Sequence, residues 1–131
     1  MNISLAARES GLTAKALRYY ESLDLVVPGR CANGYRDYAE RDLEALRFIQ
    51  RARATGFAVE EVRELLDLYR DPARRSRDAK QLVEEKLQHI EAQLNTLEQM
   101  RDSLRTLSSH CAGDDSPQCA ILDGLSRAEP G

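Results

Sequence analysis

A narrow apolar stripe in the second half of the chain places the strongest constraint on its fold. Its residues are separated by alternating steps of four and three, with Arg101 at the one polar position; the apolar members are Val83, Leu87, Ile90, Leu94, Leu97 and Leu104. This period of about 3.5 residues predicts a coiled-coil seam. The rest of the helix is charged, so the stripe needs a partner helix to cover it. Because the chain has no second helix of similar length, the sequence predicts a homodimer.

The bulk composition is consistent with a small domain followed by an extended helix. The chain has 131 residues, of which 42% are hydrophobic and 31% are charged. This length fits one compact domain with an additional element better than two full domains. No apolar run of about 18 residues predicts a membrane span, and no secretory signal opens the chain. We therefore expect a cytoplasmic protein with no membrane partner.

The net charge of −3 is unevenly distributed along the chain. Residues 1–54 carry nine basic and seven acidic side chains, whereas residues 55–131 carry ten and fifteen. The net charge is therefore +2 in the first segment and −5 in the second. A phosphate polymer is attracted to the more basic segment, so any nucleic-acid contact is expected in residues 1–54.

Two short helices with a glycine-containing turn between them are predicted near the N-terminus. Ser4 is placed to cap a helix that runs to about Ser10, and Gly11 to end it in the left-handed conformation. Thr13 is placed to cap a second helix over residues 14–23. Two short helices joined in this way are typical of a helix-turn-helix.

The remaining pattern predicts a wing, two more helices, the long helix and a short terminal helix. The predicted segments are strands at 25–27 and 35–38 around an Asn33-Gly34 turn, helices at 40–54, 59–69 and 76–108, and a short helix at 120–125. Asp71-Pro72 interrupts the helical pattern because proline lacks the backbone amide. The expected fold is mainly α: a winged helix-turn-helix domain over 1–70, a coiled-coil dimerisation helix over 76–108, and a metal-binding loop with a short helix over 109–126.

Two of the three cysteines lie in the loop that follows the long helix. An odd cysteine count without a secretory signal argues against a disulfide framework, and reduced thiols suit soft metals. Cys111 and Cys119 supply two thiolates, which are too few for tetrahedral zinc and adequate for a linear monovalent d¹⁰ ion such as Cu(I). The positive end of the long helix near Ser76 and the ammonium of Lys80 would offset the remaining negative charge. Ser76 can also be a plain helix cap.

Basic residues share one face of the second predicted helix. Lys15 and Arg18 are three positions apart, where both could enter a major groove or contact phosphates; the alternative is a solvated basic face. Helical spacing places Tyr20 with Ala16 and Leu23 on the apolar side. We therefore expect the ring of Tyr20 to pack in the core.

Several motifs resemble those of the MerR family of transcription regulators. They are LTAKALRYYE at 12–21, NGYR at 33–36, FIQRAR at 48–53 and GF at 56–57, within a likeness that covers nearly the whole chain. The resemblance implies that Arg30, Tyr35 and Arg36 grip the DNA backbone, and that the hydroxyl of Tyr20 reaches a phosphate. It implies a phosphate contact for Arg53, which could equally be a helix C-terminal charge. Most relatives carry glycine at the position of Asp24, and aspartate tolerates a left-handed backbone better than most residues.

Within the family, the loop around Cys111 and Cys119 resembles that of the copper-efflux regulators and their silver- and gold-responsive relatives. Divalent-sensing relatives carry a cysteine at the position of Ser76. This chain has a serine there and therefore lacks that thiolate. The resemblance implies a homodimer, joined by an antiparallel coiled coil, on promoter DNA whose spacer is too long. Binding of Cu(I), Ag(I) or Au(I), one ion per bis-thiolate site, would bend and untwist the promoter so that RNA polymerase engages it and efflux and detoxification genes are activated.

Two alternatives to this function remain open from the sequence. One is a sensor of divalent zinc, mercury or lead within the same family. The other is a coiled-coil adaptor that never contacts DNA. An enzyme is not expected, because the chain shows no nucleophile–base pair or phosphate loop and has two histidines in all.

Overall fold

The computed structural model describes residues 1–127 and is mainly helical. Its elements in chain order are α1 (Ile3–Ser10), α2 (Ala14–Ser22), β1 (Gly29–Arg30), β2 (Arg36–Asp37), α3 (Glu40–Ala54), α4 (Val59–Arg70), α5 (Ser76–Ser109) and α6 (Ala120–Ser126). The chain divides within α5 into two compact units, the first ending at Val83 and the second starting at Glu84. The predicted fold class, a helix-turn-helix with a small wing and a long helix, is confirmed.

The ends of the first two helices follow local hydrogen-bond chemistry. The prediction that Ser4 caps α1 is wrong: the helix begins at Ile3, and the side chain of Asn2 accepts a hydrogen bond from the Leu5 amide at 2.8 Å. Gly11 ends α1 with φ +75°, as predicted. Thr13 also caps α2 as predicted, since its hydroxyl accepts from the Ala16 amide at 3.0 Å.

The wing is smaller than the sequence pattern predicts. Residues 25–27 do not form a strand, because the amide of Leu25 donates to the carbonyl of Tyr20 and so continues the turn after α2. Leu25 and Val26 are buried in the core instead. The real hairpin pairs Arg30 with Arg36 in an antiparallel register, and Gly34 makes its turn at φ +87°. Leu25 and Val26 therefore serve packing and not strand pairing, whereas Val27 is exposed.

Asp24 makes the sharp turn that leads from the recognition helix α2 into the wing. Its φ is +58°, and it is the one described residue other than glycine with a positive φ. The expectation that aspartate tolerates this conformation is confirmed. Just before this turn, the carbonyl of Leu23 accepts a hydrogen bond from Arg63 of α4 at 2.7 Å. This bond ties α4 to the end of α2.

A compact core holds the N-terminal unit together. Its largest fully buried side chains come from α2, the loops beside the wing, α3 and α4, and they are Leu17, Val26, Tyr38, Leu43, Leu46, Ile49, Val62 and Leu66. Asp42 is also buried, and its carboxylate accepts from the Ala39 amide at 2.8 Å at the start of α3. This core fixes α2 and the wing on one framework. No helix in the described part of the chain is long and apolar enough to cross a membrane.

Tyr38 buries a hydroxyl that has no hydrogen-bond partner within residues 1–127. Its side chain is 1% exposed, and this burial raises the pKa of the phenol above its ordinary value. A buried polar group without a partner costs about 1–3 kcal/mol. The ring of Tyr38 therefore stabilises the core, whereas its hydroxyl does not.

Tyr38→Phe is expected to leave the free energy of unfolding unchanged or to raise it by about 1 kcal/mol, because it removes only the unpaired hydroxyl. Tyr38→Ala should lower it by about 3–5 kcal/mol, since it also removes the buried ring. Urea unfolding of the two variants and the wild type measures both changes. A loss above about 1 kcal/mol in Tyr38→Phe would contradict the absence of a hydroxyl partner.

Candidate functional site

The recognition helix and the wing share an open groove in the N-terminal unit. Lys15 and Arg18 are both exposed on α2. Arg18 lines a groove of about 650 Å³, together with Cys31, Tyr35 and Arg36 of the wing region. Tyr35 stands out from the surface. The structure thus brings Arg18, Tyr35 and Arg36 to one groove, whereas Lys15 lies on the same helix outside that lining.

The two adjacent tyrosines of α2 point in different directions. Tyr20 is 7% exposed and Tyr19 is 51% exposed, with their ring centroids 5.8 Å apart. The prediction that the ring of Tyr20 packs in the core is confirmed. A phosphate contact by its hydroxyl stays a prediction, and Tyr19 presents the larger exposed surface beside Lys15 and Arg18.

The two wing arginines are held by one carboxylate of the recognition helix. Arg30 Nη2 donates to Glu21 Oε1 at 2.9 Å, and Arg36 Nε donates to Glu21 Oε2. The hydrogen bond with Glu21 raises the pKa of the Arg36 guanidinium, so this group stays charged. The sequence does not predict Glu21 as the partner of these arginines, because they lie 9 and 15 residues away from it. Contacts at such separations produce no periodic pattern.

The N-terminal ammonium provides a second charged anchor for the wing. It donates to Asp37 Oδ1 at 2.8 Å and to the carbonyl of Tyr38 at 2.7 Å. Arg53 makes a different kind of contact: its Nη1 donates to the carbonyl of Phe57 at 3.1 Å, just beyond the C-terminus of α3. This bond fits the helix-terminal role considered for Arg53, and its phosphate contact stays a prediction.

Cys111 and Cys119 lie side by side in the C-terminal unit. Their sulfur atoms are 3.6 Å apart, and both side chains are partly buried. The loop between them is folded by local bonds: Asp114 accepts from the Ser116 amide at 2.9 Å, and Ser116 accepts from the Gln118 amide at 3.2 Å. The loop therefore returns one thiol to the other across eight positions of sequence.

Local groups favour the ionised form of one of these thiols. The pKa of Cys119 lies below its ordinary value because the backbone amide of Leu122 faces the sulfur and the Cys111 thiol bonds to it. A lowered thiol pKa means that more of the metal-binding thiolate is present at neutral pH. Proton competition at Cys119 is thereby reduced.

The sulfur pair fits a single soft ion. With a metal–sulfur distance of about 2.3 Å, both sulfurs at 3.6 Å separation can reach one ion in a bent arrangement. A linear arrangement needs a separation near 4.6 Å, so the loop would widen by about 1 Å. Within residues 1–127, no group of three or more His, Cys, Asp or Glu side chains is close enough to hold a metal. The donor set is therefore two sulfurs.

The other predicted residues lie apart from the thiols along the sequence. Ser76 begins α5 and Lys80 follows in its next turn, both exposed. Cys111 comes just after the end of this 34-residue helix. Cys31 is exposed in the wing and is not part of the pair. The structure thus joins Cys111 to Cys119 and leaves Ser76 and Lys80 at the start of α5.

Known proteins similar to this chain are regulators. Two family models match it: one described as MerR HTH family regulatory protein over residues 1–68, and one described as MerR, DNA binding over residues 43–107. The HTH-type transcriptional regulator HmrR of Rhizobium leguminosarum bv. viciae is 47% identical over 126 residues, covering 96% of this chain and 98% of that protein. The HTH-type transcriptional regulator CueR of Salmonella typhimurium is 46% identical over 127 residues, covering 96% and 92%.

A solved structure shares the fold over nearly the full length. The transcription regulator PbrR691 from Ralstonia metallidurans CH34, in complex with lead(II), is similar with a TM-score of 0.86 at 28% identity, covering 96% of this chain and 99% of that chain. These similarities confirm the resemblance that the motifs at 12–21 and 33–36 indicated.

Proposed function

This chain belongs to the MerR family of helix-turn-helix regulatory proteins and is a DNA-binding transcription regulator, not an enzyme; on that premise we propose that it is a sensor of monovalent Cu(I), Ag(I) or Au(I). In this proposal a cytoplasmic homodimer binds one ion at each pair of Cys111 and Cys119. Ion binding activates efflux and detoxification genes. Family membership disfavours the adaptor that never contacts DNA.

The observation that carries the proposal is the isolated sulfur pair. Cys111 and Cys119 are 3.6 Å apart, and no third ligand joins them within residues 1–127. Two thiolates satisfy a soft monovalent d¹⁰ ion, whereas zinc in a closed site takes four ligands. Such a pair favours copper-group ions through its ligand count.

The long helix supports dimer formation by residues 76–108. None of the described residues of α5 is buried, and its seam leucines, such as Leu87 and Leu104, are exposed in the single chain. An uncovered seam of this period is stable only against another helix. We infer an antiparallel pair of α5 helices, which places the first turn of one copy beside the end of the other.

This pairing gives Ser76 and Lys80 a role in selectivity. Ser76 and Lys80 lie at the start of α5, whereas Cys111 comes just after its end. In an antiparallel dimer, the partner copy would bring its first turn to the thiol loop. Its helix dipole and the ammonium of Lys80 would offset the negative charge of the occupied pair, and the Ser76 hydroxyl would not supply a third thiolate.

The first seventy residues would hold promoter DNA. Lys15 and Arg18 on α2 are placed to enter a major groove, and Arg30, Tyr35 and Arg36 to hold the flanking backbone. Tyr20 and Arg53 are proposed as further phosphate contacts. A dimer that bends and untwists an overlong spacer would align the promoter elements for RNA polymerase, with residues 109–126 as the metal-binding segment.

A divalent sensor is the second candidate. It is favoured by the likeness to PbrR691, whose solved structure contains lead(II), and by a sulfur separation that fits bent coordination without rearrangement. The zinc form of this candidate differs from the monovalent sensor in ligand count, because a closed zinc site takes four donors and the pair supplies two sulfurs. Replacement of Ser76 by cysteine would supply such a donor.

Transcription in vitro with purified dimer and RNA polymerase separates the candidates. A template bearing the promoter that the protein selects from genomic DNA should be transcribed at least tenfold more with Ag(I), and less than twofold more with Zn(II). Ser76→Cys should add a thiolate and raise the response to divalent ions. A response to Zn(II) alone in the wild type would overturn the monovalent assignment.

A further inference from the structure

The wing places two like charges directly opposite each other. Arg30 of β1 and Arg36 of β2 are paired residues in the antiparallel register. Like charges directly across a strand pair repel and destabilise the pair. Glu21 lies between them and accepts from both: Oε1 from Arg30 at 2.9 Å and Oε2 from Arg36. One carboxylate thus offsets the repulsion that this register creates.

The wing itself is a short hairpin. Each of its strands has two residues, and an isolated two-stranded hairpin is at best marginally stable in water. Tyr38 anchors the chain after β2 in the core, and the N-terminal ammonium holds Asp37. The side of the hairpin that faces α2 is held by Glu21, whose side chain is only 16% exposed.

Both arginines keep donors for a second acceptor while Glu21 holds them. A guanidinium has five N–H groups. Arg36 uses its Nε hydrogen toward Glu21, which leaves its terminal amino groups, and Arg30 uses one terminal amino group. Each can therefore bind the carboxylate on one edge and a phosphate on another.

We propose that Glu21 is a positioning residue for DNA binding, whose carboxylate aims the guanidinium groups of Arg30 and Arg36 at the phosphate backbone. This inference rests on the proposed DNA contacts of the two arginines. It predicts a change in DNA affinity opposite in sign to the one expected from charge alone. Removal of a carboxylate beside DNA strengthens binding if charge alone matters, because the phosphates repel it. Removal of a positioning carboxylate weakens binding.

The test compares Glu21→Gln with Glu9→Gln, which removes the same charge from α1 without touching the wing. Fluorescence anisotropy with a labelled promoter duplex selected by the wild type is recorded from low to high salt. Glu21→Gln should weaken binding about tenfold and reduce the salt slope by up to about 1.8, the value for two phosphate contacts. Glu9→Gln should bind as the wild type or slightly tighter.

A double-mutant cycle shows whether Glu21 acts through the arginines. In an Arg30→Ala, Arg36→Ala background, Glu21→Gln should change DNA affinity less than twofold, because its partners are gone. Equal or tighter binding by Glu21→Gln in the wild-type background, or an equal loss in both backgrounds, would overturn the positioning role. Wild-type affinity of the double arginine variant would instead refute the proposed DNA contacts.

Thermal unfolding of every variant separates positioning from loss of fold. Should Glu21→Gln unfold below the assay temperature, Glu21→Asp takes its place, because it keeps the charge and shortens the reach to the arginines. Weaker binding by a folded Glu21→Asp with a reduced salt slope supports positioning. Wild-type affinity and slope in that variant overturn it.

Discussion

Replacing Leu94 and Leu97 with aspartate should convert the protein from a dimer into a monomer and weaken promoter binding by more than about a hundredfold. The two side chains are 53% and 58% exposed in the single chain, which is the exposure expected of a seam that a second copy covers. Charges placed there would lose their hydration without gaining a partner. Size-exclusion chromatography with light scattering measures the oligomeric state, and anisotropy measures the affinity.

The expected loss of promoter affinity follows from the bivalent binding of a dimer. Two linked recognition modules on adjacent half-sites bind about 10²–10⁴ times more tightly than one. Asn95→Asp with Gln99→Asp is the matched control, since it adds the same charges to α5 outside the seam and should leave a dimer with wild-type affinity. A double aspartate seam variant that still elutes as a dimer would contradict the assignment of this seam.

Cys111→Ser and Cys119→Ser should each abolish metal-induced transcription, reducing the induced level at least tenfold to that of metal-free protein. Either change leaves one thiolate, which cannot hold a soft monovalent ion as a pair does. Promoter affinity of the metal-free variants should be unchanged, because both cysteines lie in the C-terminal unit and the residues proposed to contact DNA lie in the other. Transcription in vitro and anisotropy, measured on the same preparations, give the two readouts.

Cys31→Ser is the matched control for these variants. Cys31 is exposed in the wing and is not part of the sulfur pair, so its replacement should preserve metal induction. Full induction by a folded Cys111→Ser protein would reject the thiolate pair as the sensor. Loss of induction in Cys31→Ser alone would move the metal site to the wing.

Much of the fold can be predicted from local chemistry. The cap at Thr13, the left-handed Gly11 and the break at Asp71 each reflect a backbone requirement that one or two residues meet, so sequence alone reveals them. The start of α1 was misplaced because Asn2 and Ser4 are both good caps and only the structure shows which one bonds. The error at 25–27 has another cause: β-branched and aliphatic residues suit a buried turn as well as a strand.

Of the candidate sites, one can also be predicted from local sequence and the other cannot. The spacing of Cys111 and Cys119 alone indicates a pair, because a short polar loop can bring them together. The clamp of Glu21 on Arg30 and Arg36 cannot be predicted in this way, because it depends on how the wing folds back onto α2. Charged contacts between separate elements depend on the tertiary structure and produce no periodic pattern in the sequence.

The most direct test of the monovalent bis-thiolate sensor is a competition titration of the wild-type protein with Cu(I) against bathocuproine disulfonate, paired with a Zn(II) titration of the same sample. We predict that one Cu(I) binds per chain in competition with the chelator, and that Zn(II) is not bound tightly, because two sulfurs satisfy the first ion and not the second. Tight binding of Zn(II) with no uptake of Cu(I) would contradict it.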